Sequence, residues 1–208
     1  MFYIKELLMT IRPLLLGLPL LLAGCSSSSS FSWPSFSWSS LSPFNWFGSS
    51  SMVVSEKGVG DITATTPMTA SAISKGLQDN YPILSGMTSY QGQVVSYFQA
   101  MAGNDVKLVI TGEFKGSVQR IEVMDSKVPT EWGSKLGTPF SELFSKAYGA
   151  CKAGEGDNAG KVECVATQSR HVSYVFNGQW AGPQEIIPPD NILQSWTVSK
   201  IIWHAKAQ

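Results

Sequence analysis

The sequence predicts an α+β domain made of two tandem repeats, each a helix followed by three antiparallel strands. A Thr-Pro pair precedes a helical pattern in each half of the chain, at Thr66-Pro67 and again at Thr138-Pro139, and strand-like stretches follow both patterns. This repeated order favours one packed domain with an antiparallel sheet and the helices on one face. We expect the repeats to span about residues 58–127 and 132–204.

Each predicted helix begins at its Thr-Pro pair. A threonine hydroxyl suits the N-cap position, and proline suits the first helical position because no hydrogen bond is lost there. The apolar residues that follow recur at helical spacing and form one buried stripe per helix. They are Ala70, Ile73 and Leu77 in the first helix, which ends near Tyr81-Pro82, and Phe140, Leu143, Phe144, Ala147 and Tyr148 in the second.

Three strand-like stretches follow each helix. Val172, Tyr174 and Phe176 show the alternation of a strand with one buried face, and similar patterns occur elsewhere. The segment 178–194 has no periodicity and contains Pro188-Pro189, so we expect a long loop there. The predicted strands are 93–100, 106–111 and 118–125 in the first half and 161–167, 171–177 and 196–203 in the second.

The amino-terminal residues predict a lipoprotein signal peptide over residues 1–24. An apolar stretch at 13–22 is too short to span a bilayer as a helix. The following Leu22-Ala23-Gly24-Cys25 resembles the bacterial lipobox, which implies cleavage before Cys25 and acylation of that residue. By resemblance to enterobacterial sorting signals, in which Asp after the cysteine favours the inner membrane, Ser26 implies the outer membrane, with the domain in the periplasm. The alternatives are an ordinary signal peptide with an incidental cysteine and a short membrane anchor.

Residues 25–55 are predicted to form a tether. The stretch 26–55 contains no charged residue, and its Phe and Trp residues lie in a serine background broken by Pro34 and Pro43. A flexible spacer that lifts the domain off the bilayer is one interpretation. Because Trp and Phe favour membrane interfaces, a tether held against the lipid surface is another. A third is docking into a groove on a partner.

The remaining residues, 56–208, have the usual size of one domain with one core. Such a domain buries enough surface to be stable without a cofactor, so we expect none. The chain has 15 basic and 15 acidic residues and no basic run. Nucleic acid is therefore excluded as an expected partner.

Cys151 and Cys164 flank a Gly-, Asp- and Asn-rich segment typical of a solvent loop. In an oxidising compartment they are expected to form a disulfide. Zinc is the rival interpretation, but two cysteines without a nearby histidine pair do not make a four-ligand set.

No motif in the sequence indicates catalysis or a metal site. His171 lies in a strand pattern, His204 lies near the carboxyl end, and no Gly-x-Ser-x-Gly elbow accompanies them. Glu155, Asp157 and Asn158 lack the spacing and closing glutamate of a calcium loop. We therefore expect a protein that is not an enzyme and binds no metal, and a weak hydrolase that uses His171 is a minor alternative.

Three segments resemble a known family: GVGDITATTPMTASAI, GTPFSELFSKAYGAC and KVECVATQSRHVSYVFNGQW. The chain resembles the enterobacterial outer-membrane lipoproteins controlled by the envelope-stress sigma factor RpoE, whose domain has no known function. The resemblance implies an outer-membrane lipoprotein made under envelope stress, and it brings no catalytic residues. At the level of fold alone, the tandem repeats resemble those of the β-lactamase inhibitory proteins.

These observations favour a non-enzymatic lipoprotein that presents a binding surface to an envelope protein or glycan. Trp180, Trp196 and Trp203 are candidates for that surface, although tryptophans in strands more often belong to the core. The main alternative is an inhibitor of a periplasmic hydrolase that uses the concave side of the repeated sheet. A passive envelope component is a further alternative.

Overall fold

The computed structural model describes residues 52–90 and 92–208, without the side chain of Tyr90. The predicted signal peptide, the predicted lipidation site Cys25 and the predicted tether as far as residue 51 lie outside these residues. No helix in the described part of the chain is long and apolar enough to cross a membrane.

The described residues form ten strands and three short α-helices, so the domain is mostly β. In the first half these are β1 Gly58–Val59, β2 Ile62–Thr63, α1 Ala70–Gly76, β3 Ile83–Tyr90, β4 Gln93–Ala102, β5 Asp105–Glu113 and β6 Val118–Val123. In the second half they are α2 Phe140–Leu143, β7 Cys151–Ala153, β8 Val162–Val165, β9 Val172–Asn177, α3 Asp190–Leu193 and β10 Thr197–His204, with a 3-10 helix at Gly156–Asn158.

Eight strands make one antiparallel sheet in the order β3-β4-β5-β6-β10-β9-β8-β7. The first four strands and the last four are each joined in sequence order, and the two sets meet where β6 pairs with β10. The prediction of three strands per half is wrong because β3 and β7 each add one at an edge. Periodicity failed there because β3 contains Gly86 and the small polar residues Ser85, Thr88 and Ser89, and because β7 has only three residues.

The two Thr-Pro pairs make equivalent backbone contacts. The Thr66 carbonyl accepts from the Val118 amide at the start of β6, and the Thr138 carbonyl accepts from the Val198 amide near the start of β10. Each hydroxyl also accepts from the backbone N–H three residues earlier, at 2.9 Å for Thr66 and 3.1 Å for Thr138. Isolated bridges join the prolines to the same strand beginnings, Pro67 with Ser117 and Pro139 with Thr197.

Neither threonine caps a helix, which corrects the predicted helix starts. The N-cap of α1 is Thr69, whose hydroxyl accepts from the Ala72 amide, and the N-cap of α2 is Pro139. The predicted second helix is also too long. It ends at Leu143 because Phe144 adopts an extended conformation (φ −139°, ψ 137°), which leaves Tyr148 exposed outside the helix.

One core joins the helices to one side of the sheet. Ile73 of α1 and its C-cap residue Leu77, Phe140 of α2 and Leu193 of α3 are all fully buried in it. Phe140 packs edge-on against Phe176 with ring centroids 5.0 Å apart, an arrangement worth about 1 kcal/mol beyond its buried area. The remaining aromatic contacts of this cluster are Phe140–Phe144, Phe144–Tyr174, Phe144–Phe176 and Tyr174–Phe176.

Two segments depart from the predicted loop and tether boundaries. Val54, assigned to the tether, is fully buried, and its amide donates to the Pro129 carbonyl, so the packed domain begins ahead of residue 56. The predicted loop 178–194 contains α3, which follows Pro189. Leu193 anchors this helix in the core. One turn of helix is too short to produce a periodic pattern.

Candidate functional site

Polar side chains collect on the side of the sheet that faces away from the core. Because successive side chains of a strand point to opposite faces, residues that alternate with core residues must lie on this side. Ile121 and Trp203, for example, are core residues that alternate with the charged ones. We call the following set the polar cluster: Arg120 and Glu122 on β6, Glu163 on β8, Ser173 on β9, and Lys200 and His204 on β10.

Glu122 lies at the centre of an ion-pair network. One of its oxygens accepts from Lys200 Nζ at 2.6 Å, and the other accepts from Arg120 at 3.1 Å from Nε and 2.7 Å from Nη2. The ammonium group comes from β10 and the guanidinium from β6, so the network ties the two halves of the sheet together. Arg120 and Lys200 occupy equivalent positions, each two residues after the first core valine of its strand, Val118 and Val198.

The surroundings of Glu122 keep it ionised. Burial alone would raise the pKa of its carboxyl group, but the hydrogen bond from Lys200 and the charge of Arg120 outweigh this effect and lower the pKa. The side chains of Glu122 and Lys200 are 20% and 9% exposed, so water screens their attraction less than at an open surface.

The other half of the polar cluster surrounds His204. Its Nε2 lies 3.4 Å from Ser173 Oγ and 3.6 Å from Glu163 Oε1. Burial would raise the pKa of Glu163, but the interaction with His204 and the positive charges of Lys152 and Arg120 lower it. Lys152 is directly opposite Glu163 in the β7–β8 pairing.

Ser173, His204 and Glu163 do not form a catalytic triad. In a triad one imidazole nitrogen contacts the serine and the other contacts the carboxylate. Here both contacts fall on Nε2, so the carboxylate cannot orient the ring for proton transfer from Ser173. The arrangement is that of a charge cluster, and Ser173 has no histidine–carboxylate pair oriented to accept its proton.

Two buried apolar residues lie next to the polar cluster. Val175 and Ile202 point to the same side of the sheet as the charged residues, and both are fully buried. Ile202 is directly opposite Glu122 on one side and Ser173 on the other. Four of the six members of the polar cluster, Glu163, Ser173, Lys200 and His204, are buried themselves, so the charges hold one another in place with little freedom to reorganise, and Arg120 and Glu122 are its half-buried members.

The predicted histidines lie close together but in different surroundings. His171 precedes β9, and its Nδ1 lies 2.8 Å from the His204 carbonyl oxygen. His204 is not frayed, as its place near the carboxyl end suggested. It is the last residue of β10, is buried, and its amide donates to the His171 carbonyl.

The tryptophans suggested for a binding surface belong mainly to the core. Trp196 and Trp203 are each 1% exposed, so the alternative that they are core residues is correct. The indole N–H of Trp203 donates to the Glu56 carbonyl, which fastens the start of the domain to β10. Trp180 is half-buried against the core.

The Cys151–Cys164 segment is an antiparallel hairpin of two strands, β7 and β8. The two cysteines are directly opposite each other in β7 and β8, and their sulfur atoms are bonded. Asn158 is buried in the connecting 3-10 helix, whereas Asp157 is exposed. No group of three or more potential metal-ligating side chains occurs within the described residues.

A cleft of about 460 Å³ lies at one end of the β4–β5 hairpin. Tyr81 donates to Asp125 Oδ2 at 2.9 Å on its wall. Burial, followed by this hydrogen bond and the charge of Asp125, raises the pKa of Tyr81, so the phenol stays protonated. A protonated phenol that is already donating to a carboxylate is a poor base or nucleophile.

Sequence comparison places this fold in a family. Residues 35–205 match the family described as "Protein of unknown function (DUF1131)". The chain belongs to this family. It is also 47% identical over 194 residues to the "Uncharacterized protein YfeY" of Escherichia coli K12, covering 93% of this chain and 98% of the relative.

A solved structure shares the DUF1131 fold described here. The crystal structure of the uncharacterized protein yfeY from Escherichia coli has a TM-score of 0.67 at 47% identity, covering 73% of this chain and 99% of that chain. The family match agrees with the prediction of a domain of unknown function. The mostly antiparallel sheet with few helices agrees with the predicted α+β class only in part.

The polar cluster was missed in the sequence analysis, although a signal for it exists. Charged residues alternate with apolar ones in the strands VQRIEV and TVSKIIWH, which are the segments of β6 and β10. Glu163 lies between Val162 and Cys164, both core residues. Charges within strands that are otherwise apolar therefore mark this face.

Proposed function

We propose that this DUF1131 protein is a lipid-anchored, non-enzymatic binding module that faces the periplasm from the outer membrane. The observation that carries the proposal is the polar cluster, a charge network held on a rigid sheet face. Its charges are already paired and partly desolvated, so a partner that adds complementary polar groups binds without first ordering them. We infer a role during envelope stress, with an envelope protein or glycan as the partner.

The anchoring part of the proposal depends on Leu22-Ala23-Gly24-Cys25, whose spacing matches a lipobox. Multiple acyl chains on one residue give stable membrane attachment, whereas a single chain is marginal. Labelled palmitate should enter the wild-type protein and a Ser28→Ala control, but not Cys25→Ser. Equal labelling of all three proteins would contradict lipidation at Cys25.

The tandem-repeat arrangement is also part of the proposal. The matching contacts of Thr66 and Thr138 and the mirrored strand order support it. The equivalent positions of Arg120 and Lys200 would then be a product of duplication, with each repeat contributing one cation to Glu122.

The non-enzymatic part is supported by the groups around the polar cluster. Both contacts of His204 use one nitrogen, and the phenol of Tyr81 donates to a carboxylate. A screen of hydrolase substrates with wild-type protein and His204→Gln tests this directly. Turnover that disappears in the variant would contradict the proposal.

The binding surface can be mapped by photo-crosslinking in cells under envelope stress. A photoreactive residue at Val109, Thr111 or Lys152 would lie around the polar cluster. The same probe at Glu142 and Lys146, which are exposed near α2, provides a matched control. We expect one protein or glycan adduct shared by the first set only. Adducts shared equally by both sets would contradict a site on this face.

A second candidate function is inhibition of a periplasmic hydrolase. The broad face of the eight-stranded sheet favours it, because a pre-organised charged surface of this kind can cover the active site of an enzyme. Purified protein assayed against a panel of periplasmic proteases and murein hydrolases tests it, with Glu122→Gln as the matched variant. Inhibition weakened at least tenfold by the variant would favour this candidate over the first.

A further inference from the structure

Strand β3 (Ile83–Tyr90) forms an open edge of the eight-stranded sheet, and it pairs with β4 alone within the described residues. The Met101 amide donates to the Pro82 carbonyl just before β3, and hydrogen-bonded pairs alternate along an antiparallel ladder. The odd-numbered residues of β3 therefore direct their N–H and C=O groups outward, where no described residue meets them. These residues are Ile83, Ser85, Met87 and Ser89.

The opposite edge of the sheet is protected against further pairing, whereas β3 is not. Strand β7 has three residues, carries the exposed Lys152, and is bonded to β8 by the disulfide. A short, charged edge resists association. Strand β3 has eight residues without charge or proline, so it keeps the properties of a template for another strand.

Apolar side chains are exposed on both faces of this edge. Met87 is 62% exposed and Val94 64% on the helix side of the sheet, where the even-numbered residues of β4 enter the core. Leu84 is 56% exposed on the opposite side. A partner strand would therefore cover apolar area on both faces, and removal of such area from water favours association.

Gly86 makes the middle of β3 flat. A side chain has no room there, because an added Cβ would lie 2.5 Å from atoms of the Tyr97 ring. Tyr97 is directly opposite Gly86 on β4, so its ring lies across the glycine toward the edge of the sheet. A glycine inside a strand often marks a place where another backbone approaches closely.

The distribution of charge favours a second copy of this chain as the partner. Residues 80–104 include no charged residue, and the flanking charges, Asp79 and Asp105, lie beyond the end at which β3 begins. An antiparallel copy brings that end to the turn between β3 and β4, which is uncharged. Two β3 edges thus meet without like charges opposite each other, and neither copy buries a charge that lacks a partner.

We propose that two copies of this chain pair through the outer edges of β3, antiparallel about a two-fold axis at Gly86 that is perpendicular to the sheet. Directly opposite residues of an antiparallel pair share a face, so the axis has to lie between two copies of one residue. With Gly86 opposite Gly86 of the second copy, residues 83–89 of the two chains are paired. Ile83 then exchanges hydrogen bonds with Ser89 of the second copy, and Ser85 with Met87 of the second copy.

The side chains fit this register on both faces. On the helix side, Met87 lies diagonal to Met87 of the second copy, within reach of a long side chain. On the other side, the two Tyr97 rings approach each other across the paired glycines, and Leu84 lies opposite Thr88 of the second copy. The pairing therefore covers the apolar residues that β3 exposes.

The axis keeps the helices of both copies on one side of a continuous sheet and both polar clusters on the other. The dimer therefore presents the polar cluster twice, and a partner with two matching sites would bind it with avidity. Only this consequence rests on the proposed function, because the interface itself does not use the polar cluster.

A pair of cysteines tests the antiparallel register. In the chain from residue 25 with Cys25→Ser, Leu84→Cys of one copy and Thr88→Cys of the other would lie opposite each other, with about 4.5 Å between their Cα atoms, which allows a disulfide. We expect the double variant to form linked dimers at least tenfold faster than either single variant, because each position lies about 13 Å along the strand from its own copy. Equal rates for the single and double variants, or no linked dimer, would overturn the proposal.

Sedimentation of the same Cys25→Ser chain over a range of concentrations tests the interface without cross-linking. We expect a monomer–dimer equilibrium, and Met87→Lys should raise its dissociation constant at least tenfold because it sets two like charges diagonal to each other. Ile186→Lys, at an apolar position that is 57% exposed elsewhere, is the matched control and should leave the constant unchanged. A chain that stays monomeric at every concentration, or equal weakening by both changes, would show that β3 does not join two copies.

Discussion

Glu122 of β6 and Lys200 of β10 are 78 positions apart in the chain, yet a carboxylate oxygen and Nζ lie 2.6 Å apart. They lie on the two strands through which the halves of the sheet meet. The contact therefore contributes both to the junction of the halves and to the polar cluster.

Replacing Glu122 should destabilise the fold. Glu122→Gln leaves Arg120 and Lys200 next to each other without a compensating negative charge, so we expect a loss of about 1–3 kcal/mol in the free energy of unfolding. Urea denaturation at neutral pH measures this. Glu185→Gln, at an exposed position, should change stability by less than about 0.5 kcal/mol. Equal effects of the two changes would contradict the importance of the network.

The same carboxyl group should make stability depend on pH in the acid range. The pKa of Glu122 is lower in the folded state than the ordinary value of about 4.3, so the unfolded chain binds more protons and stability rises with pH. The contribution is present above about pH 4.3 and is lost as pH falls through the folded pKa. Denaturation midpoints between acid and neutral pH should therefore fall less steeply on acidification in Glu122→Gln. Parallel curves would show that Glu122 is not the source of the dependence.

The two buried tryptophans offer a matched test of one hydrogen bond. Trp203→Phe removes the donor to the Glu56 carbonyl, whereas Trp196→Phe removes an indole N–H without a partner in the described residues. Both changes reduce buried volume, so we expect Trp203→Phe to destabilise by about 1 kcal/mol more. Thermal unfolding of both variants measures the difference. A larger loss in Trp196→Phe would be inconsistent with this assignment.

The equivalent threonines should have equal energetic effects. Thr66→Val and Thr138→Val each remove a hydroxyl that accepts a backbone N–H, so each should cost about 1 kcal/mol. The exposed Thr167→Val serves as the control. Chemical denaturation of the three variants checks the prediction, and a large effect at only one of the two Thr-Pro sites would count against equivalent roles.

Prediction from the sequence succeeded where a local pattern reports directly on burial. Alternation located β9, and the Thr-Pro pairs marked corresponding points in both halves. It failed for α3, a single turn, and for the cap at Thr69, because tertiary contacts decide both. Hydrogen bonds to distant strands, which use the Thr66 and Thr138 carbonyls, cannot be inferred from local propensity.

The candidate site was harder to predict because its members come from four strands. Arg120, Ser173 and His204 become neighbours only after the register of β6, β9 and β10 is known. A one-residue slip would turn each of them toward the core, so no single strand pattern identifies the cluster. Of the two interpretations of Trp196 and Trp203, a binding surface or the core, the structure supports the core, where their large aromatic side chains are buried.

The strand order also has a consequence for how the chain folds. Within the described sheet, six of the seven strand pairings join consecutive strands, and β6–β10 is the exception. As the chain emerges from its amino end, the first four strands can therefore assemble while β10 is still absent. Until it arrives, β6 is a temporary edge, and its Arg120 and Glu122 discourage association with the β6 of another chain.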